Sequence, residues 1–194
     1  MSMKRWILGA ALTLIANGAY AQNVNIRGAI ASFDGKTIAV KTNDGRDVSV
    51  DLPEGVNVNI TKPFSLADVK PGMKLAVTTV KGPNGTVMAI DVRPLSATAN
   101  QSLSPYDLAP ESMMTNALLE GTAGSTDGQE LMLNYGTGTV KALVTPSTAM
   151  SQSAPGSRAD LKPGETIYLV ARREGEKYTA VRMQVSKDGV KPTQ

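Results

Sequence analysis

One eight-residue phrase is written twice in this chain with two letters changed: Ser65-Leu-Ala-Asp-Val-Lys-Pro-Gly72 returns, 92 positions on, as Ser157-Arg-Ala-Asp-Leu-Lys-Pro-Gly164. The correspondence extends outward from the phrase. Gly28 falls on Gly121, Asp34-Gly35 on Asp127-Gly128, Ile38 and Val40 on Leu131 and Leu133, and Leu75 and Val77 on Ile167 and Leu169. Each unit is about 70 residues long, and two units are too few to stack as a solenoid, so each is expected to close a core of its own. That expectation divides the chain into a first barrel at 22–95, a linking and packing segment at 96–117, and a second barrel at 118–194.

Inside a unit the apolar residues alternate with period two: Ile26 to Ile30, Ile38 and Val40, Val48 to Leu52, Val56 to Ile60, Leu75 and Val77, Met88 to Val92. This is the pattern of half-buried strands. Asp34-Gly35, Asp44-Gly45 and Asn84-Gly85 stand between them, dipeptides that accept positive φ and close hairpins. Five or six short strands in so small a unit must curl to hide their edges. The predicted class is all-β: two tandem small OB-like barrels, each with one short helical turn, joined by an irregular segment.

The repeated phrase supplies that turn. Ser65 and Ser157 are N-cap residues, and Asp68 and Asp160 stand three positions on, where a carboxylate reaches back to a free amide. Pro71-Gly72 and Pro163-Gly164 then stop the turn before the next strand. Val69 and Leu161 are expected to plug the open ends of the barrels.

The first 21 residues read as an export signal: Lys4 and Arg5, an apolar run from Ile7 to Gly18, and Ala19-Tyr-Ala21 as a cleavage site. Cleavage after Ala21 is expected, with a periplasmic destination, and Gln22 in place of Cys rules out lipidation there. The formal net charge of +3 then falls to +1, with 18 Lys and Arg against 17 Asp and Glu. Charges of both signs alternate, so neither nucleic acid nor an anionic membrane is an expected partner, and no later segment is apolar enough to span a bilayer. The chain has no cysteine, so its stability rests on burial without disulfides.

Gly28 with Asp34-Gly35, followed by Leu66-x-Asp68-Val69-x-x-Gly72 and a strand, resembles an exported bacterial family of two-copy small β-barrel proteins, a domain of unknown function similar in architecture to periplasmic OB-fold proteins. Ser104 to Asn116 is similar to a stretch found in two-barrel members. The resemblance implies a fold and brings no reaction or ligand with it. Pro94 to Ala117 shows no strand pattern, but Tyr106, Leu108, Met113 and Met114 are too apolar for a free tether, so packing against the barrels is expected.

The chain also lacks histidine. Without His or Cys there is no imidazole base, no Ser-His or Cys-His pair and no ordinary zinc site, so no enzyme activity, cofactor or metal is expected. The leading expectation is a noncatalytic exported module acting through protein or cell-envelope contacts. The alternative is a binder of oligosaccharide or a small ligand, because OB-like barrels bind such ligands across one face with stacked aromatics. Tyr168 and Tyr178, with Arg172, Arg173 and Arg182 nearby, make the last two strands of the second unit the candidate face.

Overall fold

The computed structural model describes residues 22–192, so the expected export signal lies outside the described residues. Thirteen strands among the described residues join in one continuous sheet. The first unit gives β1 (Gln22–Phe33), β2 (Thr37–Thr42), β3 (Asp47–Asp51), β4 (Val58–Pro63), β5 (Lys74–Lys81) and β6 (Val87–Pro94). A short strand β7 (Ser102–Pro105) follows, and the second unit gives β8 (Met113–Ser125), β9 (Gly128–Asn134), β10 (Thr139–Val144), β11 (Ala149–Pro155), β12 (Thr166–Glu174) and β13 (Lys177–Val185). Among these residues no helix is long and apolar enough to cross a membrane.

Neither segment, 22–95 or 118–194, closes on itself. β1 pairs with β2 on one edge and with β12 on the other, β12 pairs with β13, and β13 lies parallel to β3. With β2 joined to β3, the circuit β1-β2-β3-β13-β12 returns to β1 and closes a five-stranded barrel from both units. Its core mixes them too: Ile30, Ile38, Val40 and Val50 pack with Ile167, Leu169, Met183 and Val185. The remaining strands are exchanged the same way. β8 joins β9 and β5, β9 joins β10, β5 joins β6, and β10 meets β6 at the single pair Leu143 and Met88. A second core of Leu75, Val77, Val92, Leu119, Leu131 and Leu133 fills this half.

β4 and β11 carry the chain across. They pair antiparallel, and Thr61 faces Ser153. Since Pro63 and Ser65 repeat as Pro155 and Ser157 at an offset of 92, Thr61 is paired with its own repeat equivalent. A pseudo-twofold axis therefore passes through that pair. β4 lies parallel to β13, and β11 parallel to β6, so β6-β11-β4-β13 is the band of sheet shared by the two halves.

The repeated phrases serve the exchanged arrangement. Leu66–Asp68 and Arg158–Asp160 are single 3-10 turns. The Asp68 carboxylate accepts from the Ser65 amide at 3.1 Å and its hydroxyl at 2.6 Å, and Asp160 does the same for Ser157 at 2.9 and 3.1 Å. Gly72 and Gly164, each following its proline, take φ of +88° and +89°, which an L side chain rarely adopts. Leu161 is 4% exposed and sits in the first core, among strands of the first unit, while Val69 is half-buried against the second core. Arg158 latches its turn onto the first unit by donating to the carbonyls of Gly35, Leu52 and Pro53.

The middle segment contains strand where the sequence showed none. β7 adds to β8, and β8 itself begins at Met113. Met114 faces a polar neighbourhood and Ala117 a core, so β8 has apolar or half-buried residues on both faces and no alternation to read.

Candidate functional site: a polar seam between the halves

On β6-β11-β4-β13 one face feeds the two cores through Val92, Met150, Val58, Met183 and Val185. The alternate positions in the middle of the band are polar: Asp91 and Arg93 on β6, Ser151 and Ser153 on β11, Asn59 and Thr61 on β4, Arg182 and Gln184 on β13. Such residues on a two-layer barrel usually face water. Here most are covered: Asp91 is 0% exposed, Thr61 1%, Ser151 2%, Gln184 5% and Arg93 8%. Tyr168 and Val170 of β12 and Ala76 and Thr78 of β5, whose alternate neighbours fill the cores, are buried as well.

Buried polar groups must be bonded to be tolerated. Arg93 donates from Nε to Asp91 at 2.7 Å, a buried ion pair, and from Nη2 to the weak acceptor Sδ of Met114 at 3.8 Å. Gln184 donates to the Thr61 hydroxyl at 3.0 Å, and that hydroxyl donates to the Val185 carbonyl at 3.1 Å. The Ser151 hydroxyl is buried with no hydrogen-bond partner among the described residues.

At one end of the seam two tyrosines and two arginines interleave. The Arg27 guanidinium lies 5.2 Å from the Tyr168 ring centroid and 5.7 Å from that of Tyr106, and Arg182 lies 5.9 Å from Tyr168, within cation–π range. Arg27 clamps Asp107 through Nη2 at 2.8 Å and Nη1 at 3.2 Å, and Asn25 donates to the same carboxylate at 2.9 Å. Burial works to lower the Arg27 pKa, but the bond and charge of Asp107 outweigh it, so the cation is held. Arg27 in turn draws Asp107 below the usual carboxylate value. Burial, then the neighbouring Tyr168 hydroxyl, pushes Tyr106 up to about 12, so it remains a neutral phenol. Tyr106 and Asp107 thus tie the middle segment to β1, while β7 ties it to β8.

A cavity of about 220 Å³ opens beside this cluster, lined on its polar side by Asn59, Arg93, Ser153, Tyr168, Arg182 and Gln184. Pro94, Leu95 and Met183 form its apolar wall.

The five residues of the expected face divide between opposite sides of the sheet. Tyr168 is 3% exposed and faces the seam, where its hydroxyl donates to Asn25 at 3.1 Å, and Arg182 joins it there. Tyr178 packs against the first core, with the exposed Arg173 guanidinium 5.7 Å from its ring. Tyr168 is opposite Gln184 and Tyr178 opposite Arg173, so the two rings stand five residues apart along β12, roughly 17 Å. Arg172 is exposed and makes no part of either cluster. The seam residues Arg27, Asn59, Asp91, Arg93, Tyr106, Asp107 and Gln184 were missed, because polar positions alternating with a core face read as solvent-facing. The one available signal was that four strands carried polar pairs at the same parity.

The chain matches no family profile, no curated protein and no solved structure.

Proposed function

We propose that the chain is a noncatalytic exported binding module, made of two OB-like barrels that exchange halves, which holds a small ligand in the seam. Two features support the OB-like reading. Numbered within a unit with the crossing strands β4 and β11 left out, each circuit runs first, second, third, fifth, fourth and back to first, with a parallel closure between third and fifth. A short turn between the third and fourth strands lids the core. Both suit a five-stranded Greek-key barrel. The observation that carries the ligand reading is the cavity itself, where polar side chains from five strands of both units converge, Arg93, Tyr168 and Gln184 among them buried. Its 220 Å³ is below the range of about 300–1,000 Å³ common for drug-sized ligands, which favours a single small molecule over an oligosaccharide. The carboxylates beside it are held in ion pairs, Asp91 with Arg93 and Asp107 with Arg27, an arrangement for recognition more than proton transfer.

A screen of small fragments followed by methyl NMR tests this. Ligands should shift the Leu95 methyls and leave methyls deep in the two cores in place. A screen in which no compound moves Leu95 refutes the proposal. The reading as a module for protein contacts has one observation in its favour: β7 pairs with β8 alone and leaves its other edge open to an extended partner strand. A partner whose capture is lost with a proline at Ser104, and kept with the seam altered, would favour that reading.

A further inference from the structure

We infer that the seam cavity is a site for a small organic monocarboxylate, with Arg182 as the cation that receives the carboxylate. The inference rests on the proposed seam site and names its ligand chemistry.

Charge bookkeeping around the cavity is the first ground. Arg93 and Arg182 line the cavity, and Arg27 stands beside it on the Tyr168 ring. Arg27 is matched by Asp107 at 2.8 Å and Arg93 by Asp91 at 2.7 Å. Arg182 is matched by no carboxylate among the described residues; it donates to the Tyr168 hydroxyl at 3.5 Å. No Asp or Glu lines the cavity. One positive charge therefore stands without a carboxylate partner at the mouth of a cavity that opens to solvent.

The duplication provides an internal comparison. β5 and β6 slip register after Thr78, where Ile90 is skipped opposite, and β12 and β13 slip after Val170, where Val181 is skipped. Those slips make Asp91 the equivalent of Arg182 and Arg93 the equivalent of Gln184. In one unit the two positions hold a complete ion pair. In the other they hold a cation and a neutral amide, and the acid that would complete the pair is missing from the chain. A ligand carboxylate completes it.

The remaining lining fits that group. Arg182 presents a planar fork of N–H donors, a shape that matches a carboxylate with two parallel bonds. The Ser153 hydroxyl and the Asn59 amide add donors, the latter only weakly engaged with the Met183 carbonyl at 3.4 Å. Arg93 makes no bond from Nη1 to the described residues and lines the same cavity. Pro94 and Leu95 would cover an apolar ligand face. A single uncompensated charge favours a monoanion over a phosphate dianion, because the second negative charge would be desolvated without a partner.

The test uses the full mature chain and three probes at neutral pH: D-glucuronate, D-glucose and inorganic phosphate, titrated by calorimetry with the Leu95 methyls as reporter. Glucuronate is expected to bind saturably and to shift Leu95. Glucose should bind at least tenfold more weakly, and phosphate no more tightly than glucuronate. Arg182→Gln should weaken glucuronate at least tenfold, and Arg182→Lys should fall between, with melting temperatures unchanged because Arg182 is exposed. Equal binding of glucose and glucuronate, or tighter binding of phosphate, overturns the monocarboxylate assignment. Silence from all three probes overturns it as well. The seam reading itself survives if neutral fragments still move Leu95, and falls with the inference if none do.

Discussion

Replacing Leu161 with alanine tests the exchange of halves directly. Leu161 follows the second copy of the repeated phrase, is 4% exposed, and packs in a core with Ile30, Ile38, Val40 and Val50 of the first unit. The substitution removes three carbons, worth about 2.4 kcal/mol of transfer free energy at about 0.8 kcal/mol each. The cavity left under the capped turn adds to this, since Arg158 holds the turn to Gly35, Leu52 and Pro53 and resists collapse. A loss of about 3 kcal/mol is expected, within the range of about 2–5 found for buried leucines. Hydrogen exchange read by mass spectrometry should show protection falling in β1, β2 and β3 together with β12 and β13, with β5 and β8 to β10 less affected. Leu131→Ala, in the other core, should give the converse pattern. Protection lost only within 118–185, with β1 to β3 untouched, would refute the exchanged pairing.

Three other outcomes are expected. Asp91→Ala leaves Arg93 buried without its counter-ion and should cost about 3–5 kcal/mol in denaturant unfolding; a loss under 1 kcal/mol would mean that water reaches the pair. Lys187, bonded at 2.9 Å, and then the Ser157 amide depress Asp160 from 3.8 to about 2. A carboxylate with a folded pKa below its unfolded one stabilises fully above the unfolded value and loses that contribution as pH falls toward the folded one. Acid unfolding monitored by circular dichroism should therefore steepen between about pH 4 and 2, and Lys187→Met should narrow that window. An acid limb unaltered in the variant would count against the pair. Amino-terminal sequencing of exported protein should begin at Gln22, and a mature chain that retains Trp6 would end the export proposal.

Local chemistry alone was enough to read the all-β character, the hairpins and the capped turns. Period two marks strands because successive side chains point to opposite faces. Gly35, Gly45, Gly72 and Gly164 sit at φ near +90°, a conformation those turns require and an L side chain rarely adopts. Which strands meet was not written locally. Two units of one strand pattern offer each third strand, β3 or β10, two similar last strands, β6 and β13. Only the crossing of β4 and β11 through Thr61 and Ser153 decides that β3 takes β13 and β10 takes β6. Alignment also placed Gly28 on Gly121, whereas the bulges that shift register after Ile30 and Leu119 make those two residues equivalent. Gly28 has its own reason, since a Cβ there would meet the Lys41 carbonyl at 2.2 Å. The seam stayed hidden for the same cause as the pairing. Thr61, Asp91, Arg93, Ser151 and Gln184 occupy ordinary outward positions of their strands, and they become a buried polar layer only because tertiary structure folds one exchanged half against the other.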